Sequence, residues 1–140
     1  MNSVQPIRDM ELVNDIADYL KGRSERDYMM FLFGIYSGLR ISDILKLRVR
    51  DVKGKDRITL REKKTGKERS FPINAALKSK IKKYVADKEG YVYLFRSRQG
   101  KNRPISRQQA YNIIRKAGEE FGLYQLGTHT LRKTFGYHLY

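Results

Sequence analysis

Apolar side chains recur along the first third of the chain with helical spacing. Leu12, Ile16 and Leu20 fall on one stripe with Val13 and Tyr19 beside it, so residues 9–21 read as an amphipathic helix ended by Gly22. Ser24 with Asp27 has the form of a capping box, opening a strongly apolar helix from Tyr28 to Tyr36. Gly38 breaks that helix, and Ser42 to Leu47 continues as a short one with Ile44, Leu45 and Leu47 turned inward. The period then changes. Arg57-Ile-Thr-Leu-Arg61 and Lys67-Glu-Arg-Ser-Phe-Pro-Ile73 are β-rich runs joined by Glu62-Lys-Lys-Thr-Gly66, which predicts an antiparallel hairpin over 57–73. Pro72 marks its second strand as an edge, because proline has no N–H to give a further neighbour.

Helical spacing returns over 75–88 through Leu77, Ile81 and Val85, with lysines on the remaining surface. Tyr91 to Arg98 reads as extended, with Tyr91, Tyr93 and Phe95 on the face that packs on the core. Gln99 to Pro104 is a basic loop. Ser106 and Gln109 form a second capping box for a helix to about Phe121, and Gly127-Thr-His129 leads into a last helix that runs to the chain end. The predicted class is α+β, mostly α-helical with one small antiparallel β-sheet. Tyr137-His-Leu-Tyr140 carries no C-cap signal, so the expectation is a domain cut short at its C-terminus.

Charge narrows the function. The 140 residues hold 30 Lys and Arg against 15 Asp and Glu, a net charge of +15, which calls for a polyanionic partner. The excess is uneven: residues 1–50 carry 8 basic and 7 acidic side chains, residues 51–140 carry 22 and 8. The absence of cysteine excludes a disulfide framework, a thiolate zinc site and a cysteine nucleophile. Met29 to Leu39 is the longest apolar stretch, too short for a bilayer, and the first residues have no signal-peptide pattern. A soluble, cytoplasmic nucleic-acid binder with no membrane partner is the resulting class.

Three local patterns carry chemistry. Tyr36-Ser-Gly-Leu-Arg40-Ile-Ser-Asp43 sets an arginine at a helix break with a carboxylate three positions on. Lys63-Lys64-Thr65-Gly66 forms the hairpin tip, and His129-Thr-Leu-Arg132 opens the last helix with its two polar side chains on one face. Two guanidiniums, an ammonium and an imidazole suit a phosphodiester: arginine matches phosphate oxygens bidentately, while lysine and histidine move protons. No cluster of carboxylates or histidines is dense enough to hold a metal, which leaves charge stabilisation to cationic side chains.

In order and separation these motifs, with Lys133-Thr-Phe-Gly-Tyr-His138 after the last, resemble the catalytic domain of the tyrosine site-specific recombinases, the phage and transposon integrase family. The similarity runs from about Leu12 to Tyr140 and implies the catalytic-domain fold of DNA breaking-rejoining enzymes. It implies that Arg40 and Arg132 hold the scissile phosphate, that Lys64 protonates the departing 5′ oxygen and that His129 assists proton transfer. Asp43 falls where the family has an acidic residue supporting the first arginine, and Lys63 competes for the Lys64 role. His138 is implied to be structural. The activity implied is DNA integration or recombination through a 3′-phosphotyrosine, with no cofactor and no metal.

The family's second histidine or tryptophan and its tyrosine nucleophile come further on than this chain reaches. Only eight residues follow Arg132, about 12 Å of helix, so Tyr140 is not expected to be the nucleophile. The expectation is an incomplete catalytic domain over 1–140, also without the amino-terminal core-binding domain, that binds double-stranded DNA and cannot cleave alone. Full-length relatives are implied to work as tetramers on DNA, and this chain is expected to be a monomer. Arg96, Arg98, Lys101, Arg103 and Arg107, with no acid among them, are expected to contact backbone phosphates. Taken singly, each of these residues has an ordinary structural explanation, and a non-catalytic basic DNA- or RNA-binding module is the competing reading.

Overall fold

The computed structural model describes residues 6–61 and 65–139. Helix α1 (Met10–Arg23) starts where the Asp9 carboxylate accepts the Glu11 N–H at 2.9 Å, and it buries Val13, Ile16, Ala17 and Leu20. Gly22 does not end it. The helix runs through that glycine to Ser24, whose extended backbone (φ −161°) turns the chain while its N–H still donates to the Leu20 carbonyl at 2.8 Å. The same serine then caps α2 (Glu25–Ser37), its Oγ accepting the Asp27 N–H at 3.3 Å. Met29 through Ile35 are all buried, so α2 is apolar on every side and forms the axis against which α1, α5 and α7 pack.

Gly38 ends α2 in the left-handed region (φ 67°), and α3 (Ile41–Leu45) follows. A further turn, α4 (Val49–Val52), was not legible in the hydrophobic pattern because it is four residues long. It is started by the Asp51 carboxylate, which accepts the Arg48 N–H at 2.8 Å. Strands β1 (Arg57–Arg61) and β2 (Glu68–Pro72) pair antiparallel with Ile58 opposite Phe71, and the buried Ile58 anchors the hairpin to the core. Lys63 and Lys64, at the tip, lie outside the described residues.

Helix α5 (Ala75–Val85), capped by Asn74, buries Leu77, Ile81, Tyr84 and Val85 and ends three residues before the predicted bound. The segment after it departs from expectation. Tyr91 is 59% exposed while the adjacent Leu94 and Phe95 are both fully buried, so 91–95 is not an alternating strand. Among the described residues the segment joins no sheet and pairs with 47–50, through Arg50 N–H to Gly90 (2.9 Å), Val49 N–H to Val92 (2.8 Å) and Leu94 N–H to Leu47 (2.9 Å). Phe95 stands edge-on to Phe33 and stacks on Tyr84. The Tyr84 hydroxyl donates to the Leu94 carbonyl at 2.7 Å, and burial pushes its phenol above the usual range.

Helix α6 (Arg107–Glu119) begins where Ser106 Oγ accepts the Gln109 N–H at 3.0 Å, and it stops two residues short of Phe121. Helix α7 (Thr128–Leu139) lies close on α2. A β-carbon on Gly34 would sit 2.8 Å from Leu131 Cβ, and one on Gly38 would meet the Phe135 ring. No helix among the described residues is long and apolar enough to cross a membrane.

Candidate functional site

The close seat of α7 on α2 brings Arg132 into the lining of a groove of about 1250 Å³. Its walls come from the α2–α3 turn with Arg40, Asp43 and Lys46, from β2 with Arg69, from the start of α6 with Arg107, and from α7 with Arg132. Five cations therefore share the groove with one carboxylate. Arg40 owes its place to the left-handed Gly38, which reverses the chain at the end of α2 and leaves Arg40 extended (φ −66°, ψ 144°) just before α3.

The Asp43 carboxylate bonds to Lys46 one turn on, at 3.4 Å, and not to Arg40. Among the described residues the Arg40, Arg107 and Arg132 side chains make no hydrogen bond or ion pair with the protein. That contrasts with Arg26, Arg48, Arg57, Arg61 and Arg115, each bonded within the fold. An exposed guanidinium with no protein partner keeps its whole donor fork for an external anion.

His129 is exposed in the first turn of α7, one turn from Arg132, and is not among the residues lining the groove. Lys64 belongs to the undescribed tip of the hairpin whose second strand forms one wall. Arg96, Arg98, Lys101 and Arg103 are exposed on the loop leading to α6, outside the groove; Arg107 alone of that basic series enters it. His138 is taken up structurally, its Nε2 donating to the Ile7 carbonyl at 2.8 Å while the Ile7 N–H donates to Thr134 Oγ1 at 2.9 Å.

Two cations in the groove escaped the sequence reading. Lys46 looked like an ordinary helix-end lysine. Arg69 carried a signal that went unused: it lies two residues from Phe71 on β2, and strand periodicity turns both to one face.

The phage integrase family profile matches residues 8–140. The protein described as "Probable integrase/recombinase YoeC" from Bacillus subtilis is 50% identical over 140 residues, covering all of this chain and 77% of its own length. The type 1 fimbriae regulatory protein FimE of Escherichia coli K12 is 34% identical over 122 residues, 81% of this chain and 61% of its own. Among solved structures, XerA recombinase superposes with a TM-score of 0.79 at 20% identity, over 99% of this chain and 51% of its own. Lambda integrase bound to DNA gives 0.73 at 16% identity, over 96% and 51%. The chain thus spans about half the length of those two structures, whose likeness is one of fold. With the family profile covering almost every residue and a relative half identical over the whole length, the chain belongs to the phage integrase family of tyrosine recombinases.

Proposed function

We propose that this chain grips the scissile phosphate and flanking backbone of duplex DNA during recombinase strand exchange. The observation that carries the reading is the groove in which Arg40, Arg107 and Arg132 converge from distant parts of the chain, with no bond to a protein partner among the described residues. Arg40 and Arg132 take the non-bridging oxygens and neutralise the charge that grows on them in the pentavalent transition state. Lys64 protonates the departing 5′ oxygen, and His129 helps move protons at the same phosphate. A tyrosine attacks, a 3′-phosphotyrosyl bond forms and a 5′-hydroxyl leaves, later to attack in a partner duplex. The phosphodiester energy is conserved in the covalent link, so the reaction draws on no external energy source.

The 140-residue chain supplies the grip and not the nucleophile. Of the tyrosines among its described residues, Tyr36 alone lines the groove, half-buried against the core. Lambda integrase, similar in fold, is bound to DNA in its structure, which supports the choice of partner.

The test is binding to duplex DNA across a salt series, together with a nicked suicide substrate. Log affinity is expected to fall steeply with log salt, and Arg132→Ala to lower that slope by about 0.9, one phosphate contact. No covalent band should form on a denaturing gel. A flat salt dependence overturns the reading of DNA binding, and an adduct lost in Tyr140→Phe overturns the assignment of the nucleophile elsewhere.

A further inference from the structure

The basic loop before α6 carries four exposed cations, Arg96, Arg98, Lys101 and Arg103, whose side chains make no bond within the described protein. Long cationic side chains on a floppy loop would lose much of their binding energy to ordering on DNA. The backbone beneath them is not free in that sense. The Ser97 N–H donates to the Arg103 carbonyl at 2.6 Å, the Ile105 N–H to Phe95 at 2.9 Å, and Arg26 Nη1 to the Arg96 carbonyl at 3.1 Å.

One side chain adds a further fastening at the far limb. In the segment 90–94, successive backbone groups point to opposite edges. The Gly90 and Val92 carbonyls and the Leu94 N–H face residues 47–50 and are bonded there. The Tyr91 carbonyl and Tyr93 N–H face the other way, where no strand lies among the described residues. Asn102 fills that edge: its Oδ1 accepts the Tyr93 N–H at 3.0 Å and its Nδ2 donates to the Tyr91 carbonyl at 2.9 Å. These are the two bonds that one residue of a parallel neighbouring strand would make, its N–H to the first carbonyl and its carbonyl to the second N–H. Arg48 braces the same spot, donating to the Tyr91 carbonyl at 2.7 Å and to the Tyr93 hydroxyl at 3.1 Å, with its guanidinium 4.3 Å from the Tyr93 ring centroid.

We propose that Asn102 is the positioning residue of the basic loop, its carboxamide standing in for a strand so that Arg96, Arg98, Lys101 and Arg103 meet duplex phosphates as a fixed array. The proposal rests on the reading that this chain binds DNA. Asn102 bears no charge and releases no counterion, so its contribution lies in preorganisation. Its removal therefore acts differently from removal of an arginine.

The experiment compares wild type, Asn102→Ala, Arg98→Ala and the double variant on a mixed-sequence duplex over a salt series. Asn102→Ala is expected to weaken binding about tenfold at every salt concentration with the slope unchanged. Arg98→Ala is expected to lower the slope by about 0.9, and to cost less in the Asn102→Ala background, where the array is already loosened. In the wild type the Tyr93 amide should exchange more slowly than that of Arg98, an observation that stands even if Asn102→Ala folds poorly. Wild-type affinity in Asn102→Ala, strict additivity with Arg98→Ala, or an unprotected Tyr93 amide would each overturn the proposal. A flat salt response of the wild type would instead remove the DNA-binding reading itself.

Discussion

At the scale of the residue, the groove turns on which charges are already satisfied. Asp43 is the carboxylate among its lining residues and is bonded to Lys46, a partly exposed i,i+3 pair of the kind worth only about 0.2–1 kcal/mol. Its family counterpart was expected to support the first arginine. The geometry leads to a different forecast: Asp43→Asn frees Lys46 and removes negative charge from the groove, so on the proposed function DNA binding should tighten a few-fold at low salt, with little change in stability. Anisotropy titrations at two ionic strengths decide it, and weaker binding would restore the supporting role. Arg40 and Arg132 were legible because the residue types recur in fixed motifs. Arg69 and Lys46 were not, since a cation's function depends on what faces it across space.

At the scale of the element, the site depends on how closely α7 sits on α2. Gly34 leaves room for Leu131, and a methyl group there would force the helices apart or bend side chains off their rotamers, at a cost of about 1–3 kcal/mol. Gly34→Ala should therefore destabilise the chain by that amount in urea denaturation. Leu131→Ala should cost less in the Gly34→Ala background than alone, because it removes the obstruction. Equal costs in both backgrounds would mean that the contact does not govern the packing. Helix starts were readable from the sequence wherever a side chain made the cap, as at Ser24 and Ser106. Gly22 misled, because a glycine ends a helix only when the chain adopts a left-handed turn there, and here Ser24 turned it by extension. The Tyr91–Phe95 segment misled for a related reason: alternation predicts a strand only if a sheet exists to receive it.

At the scale of the whole molecule, the surplus of positive charge lies in residues 51–140, yet the groove also takes Arg40 and Lys46 from the near-neutral first part. Self-repulsion among so many cations disfavours association between copies. The 140-residue chain is accordingly expected to elute as a monomer from a sizing column at micromolar concentration, and a stable dimer there would count against that reading. What the amino-acid sequence determined by itself was local or additive: helix stripes and caps, the hairpin, the net charge, and the three motifs in their order. Those depend on neighbours a few residues apart. What only the tertiary structure decided was the company each charge keeps. It joined Arg107 to Arg40 and Arg132, paired Asp43 with Lys46 and set Asn102 against an open backbone edge. The packing of α7 on α2 and of 90–94 on 47–50 settles those relations, through contacts between residues far apart in the chain that no local pattern encodes.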